Sequence, residues 1–423
     1  MSISVVCGAN WGDEGKGRMV DYLAQDADFV VRYQGGNNAG HTVVNEFGEF
    51  KLHLIPSGVF NANAFNVLGP GMVIDLEVLV TELKGLRDAG VACENIKVSD
   101  RATICFPFHR LEDNLEEERL QGAAIGSTRQ GIAPAYSDRF LRKAVQVGEL
   151  KNRDRLVKRI RETVAWKNLV LCGVYKSDQL PIDADEMIAW VDAQAAEVSD
   201  YICDTTELLH NGIDAGKKVM LEAQLGALRD INFGIYPYTT SSCTLAGFGG
   251  IGSGLFAPLD EVIAVTKAFS TCVGAGPFVT ELDDEEAHSL REVSKEYGAT
   301  TGRPRRIGHF DAVATRYGVR AQNATDIAIT KLDSLSGRKS LKICTEYNVN
   351  GQKTTQFPFV GQLDDSTPEY IEMPGWDEDI TGVREFDKLP KTAQEYINKI
   401  ESLIGVNARF ISVGPERDQL IIR

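Results

Sequence analysis

The strongest constraint on how this chain can fold is a series of short, mostly apolar runs at residues 4–7, 29–33, 67–69, 219–222, 262–266 and 327–332, separated by longer stretches of helical periodicity. A strand that is apolar on both faces must be covered on both faces, and helices crossing over a parallel sheet do this. The expected fold class is therefore α/β, a large mostly parallel central sheet flanked by helices. The texture changes twice. Residues 108–216 are charged and helix-prone at 110–121 and 150–166 and amphipathic at 183–212, which reads as a helical insertion carrying a Gly-, Ser-, Thr- and Pro-rich loop at 126–136. Residues 340–374 alternate β-branched and aromatic side chains around Asn350-Gly351, which reads as a small antiparallel extension. No low-complexity linker or internal repeat intervenes, so 1–423 is taken as a single domain containing both.

Charge narrows the partners. With 60 acidic against 45 basic side chains the formal net charge is −15, which argues against nucleic acid and anionic membrane surfaces and for small molecules. The eight cysteines contain no CxxC pair and several sit in apolar surroundings, as reduced thiols in the cytosol do. There is no basic segment followed by an apolar leader and no run of about 18 apolar residues. A cytoplasmic location is expected.

Chemistry enters at Gly12-Asp13-Glu14-Gly15-Lys16-Gly17, just after the first apolar run. Glycines let the backbone turn its N–H groups toward an anion, and a helix starting near Arg18 adds its positive end. Lys16 then neutralises phosphate oxygens. A Walker A loop is excluded, because Asn10 and Gly17 stand where that pattern needs Gly and Ser or Thr. Any one of these residues alone reads as a solvated turn; six together favour phosphoryl transfer.

Thr330-Lys331-Leu332-Asp333 resembles a guanine-reading tetrapeptide, since a carboxylate there accepts both the ring N–H and the exocyclic amine of guanine. Ser412-Val413-Gly414-Pro415 either closes the other side of the base or is a simple turn. In the glycine-rich stretch 34–42, His41 between Gly40 and Thr42 has little core to pack into and is placed to stabilise a transferring phosphoryl group. Magnesium held by Asp13, a backbone carbonyl and phosphate oxygens is the expected ion; the six histidines show no zinc spacing. The stretch 298–306 gathers Arg303, Arg305 and Arg306 beside hydroxyl donors, an anion clamp for carboxylate or phosphate. Arg142 and Lys143 form a second basic point.

Taken in order, Trp11-Gly-Asp-Glu-Gly-Lys-Gly17, Gly40-His-Thr42, Gly298-Ala-Thr-Thr-Gly-Arg303 and Thr330-Lys-Leu-Asp333 make the chain resemble the adenylosuccinate synthetase family over nearly its whole length. Leu52-His-Leu-Ile-Pro-Ser-Gly58, Val273-Gly-Ala-Gly-Pro-Phe278 and Met373-Pro-Gly-Trp376 also match. The resemblance implies a homodimer that joins L-aspartate to inosine monophosphate (IMP), with GTP as co-substrate and Mg2+ as cofactor. It implies that Asp13 is the base that deprotonates the purine ring and, with the Gly40 carbonyl, a magnesium ligand. His41 and Lys16 would be its catalytic partners. Gly12, Glu14, Gly15, Lys16, Gly17, Gly40, His41, Thr42, Arg305, Lys331, Asp333, Ser412, Gly414 and Pro415 would hold GTP. Asp13, Asn38, Thr128, Arg142 from the partner subunit, Gln224, Leu225, Thr240, Val273 and Arg303 would hold IMP. Gly298, Ala299, Thr300, Thr301, Arg303 and Arg305 would hold aspartate.

The departures from the family pattern cluster on the acceptor side. Arg129 and Gln130 make the 126–133 loop bulkier, Leu225 stands where the family carries a nucleotide-contacting glutamine, with Gln224 one position early, and Asn232, Phe233 and Cys243 are also unusual. Two alternatives therefore stand beside IMP ligation: the same chemistry on a variant 6-oxopurine nucleotide such as deoxyguanylate, and a GTP-binding regulator without catalysis.

Overall fold

The computed structural model describes residues 2–45, 47–121, 125–272, 274–298 and 302–423. Ten strands form one sheet, in the spatial order Leu420–Ile422, Ala408–Ser412, Asp326–Thr330, Glu261–Lys267, Ser2–Gly8, Lys218–Glu222, Phe29–Arg32, Phe65–Leu68, Ile96–Ser99, Ile202–Cys203. Every neighbouring pair is parallel except the last-formed, Ala408–Ser412 with Leu420–Ile422. Each apolar run marks one of these strands, because Ile3, Val5, Val31, Val67, Leu221, Ala264 and Ile327 are buried between layers of helices.

Ser2–Gly8 lies at the centre, and the order of strands reverses around it: later strands add on one side, earlier ones on the other. In such a sheet ligands bind beyond the carboxyl ends of the strands at the reversal. Arg32, Glu222, Lys267, Thr330 and Ser412 are the last residues of their strands, so parallel pairing brings them to one edge. The helix Ala312–Gln322 packs so closely beneath this edge that a Cβ on Gly318 would lie 1.7 Å from the Ala9 carbonyl oxygen. Its N-cap, Asp311, accepts from the Ala314 amide at 2.9 Å and from the Tyr347 hydroxyl at 2.5 Å.

Between 108 and 216 the chain runs through the helices Pro107–Leu120, Ile132–Phe140, Arg153–Val174, Ala184–Val198 and Thr205–Asp214. The amphipathic stretch 183–212 is not continuous: Ile202–Cys203 breaks it and pairs with Ile96–Ser99 as the outermost strand, where Ile202 gains burial. Ser340–Val349 pairs antiparallel with Gln352–Thr354 and Ser366–Pro374, as the alternation suggests, and also parallel with the two-residue strand Phe310–Asp311. None of the eight cysteines forms a disulfide, and among the described residues no helix is long and apolar enough to cross a membrane.

Candidate active site

The loop leaving Ser2–Gly8 holds three residues in the left-handed region, Gly12 (φ 98°), Asp13 (φ 60°) and Gly15 (φ 95°). Glycine accepts that geometry freely; Asp13 does so at a cost of about 1 kcal/mol or more, a strain typical of functional loops. The helix starts at Lys16, earlier than the sequence suggested, because Gly15 caps it. Glu14 turns inward: its carboxylate accepts from the amides of Asn10 (3.1 Å) and Gly12 (2.8 Å) and from Lys16 Nζ (2.6 Å). A Cβ on Gly8 would stand 2.6 Å from that carboxylate and one on Gly226 2.5 Å from it, so both glycines make the space. The Glu14 side chain thus braces the loop and Lys16, leaving backbone amides and the Lys16 ammonium for an anion.

His41 opens the strand His41–Asn45. Its Nδ1 lies 2.5 Å from Glu222 Oε1, and Glu222 also accepts from the Ser57 hydroxyl (2.7 Å) and amide (2.8 Å). Burial pushes the imidazole below its ordinary value while Glu222 opposes the shift. Burial pushes Glu222 up, but His41 and Arg32 hold it below the usual carboxylate range. The pair is therefore an ionised carboxylate accepting from Nδ1–H of a neutral ring, with Nε2 left for the cavity that His41 lines.

Asp13 Oδ2 accepts from Arg305 Nε at 2.9 Å, and Arg305 continues to Glu296 at 2.6 Å. Burial raises the Asp13 carboxyl, but Arg305, Lys267 and Lys16 hold it below its ordinary value. Lys267 donates to Glu296 Oε2 at 2.7 Å, and burial lowers this ammonium to about 8 against the pull of Glu296.

At the far end of the same cavity Lys331 Nζ donates to the Ser294 carbonyl (2.9 Å), Asp333 faces in from a short turn, and burial raises its carboxyl above the usual range. Arg18 reaches Ser412, the Glu416 carbonyl (2.5 Å) and the Gln419 carbonyl (3.0 Å), fixing the loop that carries Gly414 and Pro415.

One cavity of about 480 Å³ brings together Asp13, Glu14, Gly15, Lys16, Gly17, Asn38, Gly40, His41, Gln224, Leu225, Arg305, Lys331, Asp333, Ser412, Gly414 and Pro415. Gly12 lies just behind it under Leu225. Thr128, Thr240, Gly298, Arg303 and Arg142 fall outside it within one chain. Thr128, Arg303 and Arg142 are exposed, although a Cβ on Gly126 would lie 4.0 Å from Arg303. Gly298 is tied to Arg303 by a backbone hydrogen bond of 2.8 Å, and the Thr240 amide to the Arg229 carbonyl at 2.9 Å. Val273, Ala299, Thr300 and Thr301, and the side chain of Thr42, lie outside the described residues.

The early glutamine lines the cavity beside Leu225, but its amide is committed to protein partners. Gln224 accepts from the buried Arg32 and donates to Asn38 Oδ1 at 2.6 Å, in space that a Cβ on Gly35 would fill. Leu225, left-handed at φ 59°, takes the surface next to Asp13. Gln130 receives Asn37 at 3.1 Å, whereas the Phe233 side chain is largely exposed and its backbone is engaged, the amide donating to Asp230 Oδ1 (3.0 Å) and the carbonyl accepting from Tyr317.

Glu222, Lys267, Glu296 and Arg18 carry the site and were not singled out from sequence. A charged residue closing a mostly apolar strand, as Glu222 and Lys267 do, is the one signal that was available.

Residues 5–421 match the family model described as adenylosuccinate synthetase. "Adenylosuccinate synthetase 2" of Pseudoalteromonas translucida is 52% identical over 422 residues, covering 99% of each chain. The solved structure of a fully ligated adenylosuccinate synthetase from Plasmodium falciparum superposes with a TM-score of 0.92 at 33% identity, covering all of both chains. A cyanophage S-2L succinoaminodeoxyadenylate synthetase, solved with dGMP and dATP, shares the fold at a TM-score of 0.60 and 16% identity, covering this chain fully and 95% of its own. A family match over nearly the full length, with the motif loops gathered at one sheet edge, makes this chain a member of the adenylosuccinate synthetase family.

Proposed function

We propose that the protein is a GTP-dependent ligase that joins L-aspartate to IMP, giving adenylosuccinate, GDP and phosphate. The observation that carries this reading is the single cavity in which a carboxylate (Asp13), an ammonium (Lys16), a carboxylate-backed imidazole (His41) and a guanine-type acceptor (Asp333) converge.

Asp13 takes the proton from the purine ring nitrogen beside the 6-oxo group, and the electron pair moves onto the 6-oxygen, which attacks the γ-phosphorus of GTP. The bond to the bridging oxygen breaks and GDP leaves. Lys16, the loop amides and the His41 ring face the phosphoryl oxygens, where fixed donors act most strongly out of water. With GTP in place, the charge of its phosphates favours uptake of a proton from solvent at His41 Nε2 before transfer; Glu222 stabilises the imidazolium, which then donates to the phosphoryl oxygens. The unprotonated aspartate amine then adds at C6, phosphate departs with the former 6-oxygen, and the proton that the amine sheds leaves with the phosphate. Arg305 and the 298–303 loop are the groups for the aspartate carboxylates and neighbouring phosphates.

Asp13 and the Gly40 carbonyl line one cavity with the phosphate loop, and among the described residues no cluster of three or more metal-ligating side chains exists. One carboxylate plus phosphate oxygens suits Mg2+, which keeps most of its shell from water and substrate. When bound there, the ion supplies charge neutralisation at the phosphates.

A homodimer is supported by exposed Phe140 (80%) and Leu141 (53%) immediately before exposed Arg142, an apolar patch beside the cation assigned to the partner's IMP site. The charge balance and the reduced thiols support a cytoplasmic enzyme with no nucleic-acid or membrane partner.

The test is phosphate release with each substrate omitted in turn. Release that requires GTP, IMP and aspartate together, with product absorbance, supports the ligase. GTP binding without aspartate-dependent release would mark a regulator, and turnover confined to deoxyguanylate would mark the variant acceptor.

A further inference from the structure

Two oppositely charged, buried side chains of the cavity wall have no role in the steps above: Glu296, 0% exposed, and Lys267, 3% exposed. Stability alone gives a weak reason for such a pair, because desolvating two charges offsets most of their attraction. The hydrogen bonds are unevenly distributed. Glu296 Oε2 takes both Lys267 Nζ (2.7 Å) and Arg305 NH1 (2.6 Å), while Oε1, also buried, has no partner. Lys267 is further fixed by the Thr271 hydroxyl at 2.8 Å. Arg305 in turn uses two separate edges, NH1 toward Glu296 and Nε toward Asp13 at 2.9 Å. Its inner contact is held by a carboxylate that Lys267 already balances, and its outer contact is with a half-buried group on the cavity wall.

We propose that Glu296, charge-balanced by Lys267, is a positioning residue that anchors Arg305 through NH1, so that the Nε edge can pass from Asp13 to an oxyanion of an incoming substrate. The inference rests on the ligase reading and deepens it. The guanidinium is a rigid fork with donors on distinct edges, so it can keep one partner while exchanging another. With the anchor in place Arg305 stays in the site whichever partner its outer edge serves. Asp13 is released only when an oxyanion has arrived to take its place, which orders loading before proton removal. Without the anchor, Asp13 is the one carboxylate left to Arg305, and reaching a ligand means giving up its only fixed contact. The oxyanion belongs either to an aspartate carboxylate or to a GTP phosphate.

The test uses the full-length protein and three variants: Glu296→Gln, Glu296→Asp, and Glu296→Gln with Lys267→Met, which removes both charges and leaves neither unpaired. Calorimetric Kd values for L-aspartate and for GTP are measured first, since these need no turnover, and KM and kcat follow. Loss of one charge-assisted contact predicts about a tenfold weaker Kd and higher KM for one of the two ligands in Glu296→Gln and in the double variant. The other ligand and IMP should change less than about threefold, and Glu296→Asp should recover part of the loss. The ligand that weakens identifies the oxyanion. Unchanged Kd values in the double variant, or a fall in kcat that tracks only the loss of folded protein, overturns the anchor. A wild type that binds both ligands but shows no aspartate-dependent phosphate release overturns the ligase reading instead, and the Kd comparison still decides the anchor.

Discussion

Replacing Glu222 by Gln keeps the side chain's shape and, through its one remaining carbonyl oxygen, the contact from the Ser57 amide, and removes the charge that faces His41 Nδ1 at 2.5 Å. In the proposed reaction this charge matters most when the ring becomes cationic. A hydrogen bond to a charged partner is worth about 1.5 to 3 kcal/mol net. If that difference is expressed in the transition state, kcat falls roughly 10- to 150-fold at 1.36 kcal/mol per tenfold. The direction with pH follows from the same pair. Glu222 opposes the burial-driven lowering of His41, so without it the ring loses its proton at lower pH, and the alkaline limb of the kcat profile moves down. The assay is steady-state phosphate release from about pH 6 to 9 at saturating GTP, IMP and aspartate, with a thermal midpoint to show the fold is intact. A variant with wild-type kcat and an unshifted limb would refute the account of His41, as would raised KM values at unchanged kcat, since that would mean Glu222 serves binding alone.

Asp13→Asn should lower turnover by about two to four orders of magnitude while calorimetric GTP binding changes less than about tenfold; substantial residual turnover would remove Asp13 as the base. Gly318→Ala places a methyl 1.7 Å from the Ala9 carbonyl oxygen, where no side chain can yield, so unfolding in urea should show a loss of about 3 kcal/mol or more; a wild-type midpoint would contradict the close approach. Burial raises the Asp311 carboxyl to about 6, above its unfolded value, despite contacts from Ala314 and Tyr347. The folded state therefore prefers the neutral acid, and stability falls as pH rises from about 4 to about 6, by on the order of 2–3 kcal/mol. Asp311→Asn should flatten that part of the thermal-midpoint profile, and an unchanged slope would contradict it.

The parallel sheet was legible because six of its strands are short, mostly apolar runs, and the phosphate loop because glycines and charges must sit together in sequence to make it. Asp13, Lys16, His41, Lys331 and Asp333, which the fold brings to one cavity, could be singled out for the same reason: each lies inside a short motif whose chemistry is local. Gln224 was legible as displaced, but its destination was not. Where its amide is committed depended on Arg32, Asn38 and the empty space at Gly35, none of which is near it in sequence.

The sequence by itself determined the alternation of strand and helix, the glycine- and charge-bearing loops that meet in one cavity, and the family. Only the tertiary structure decided what stands behind those loops: Glu222 on His41 from 181 residues away, Arg305 on Asp13 from 292 away, and Glu296 with Lys267 beneath them. The physical reason is that parallel pairing carries the carboxyl ends of distant strands to one edge, where burial makes the partner of each charge matter while leaving no local pattern to announce it.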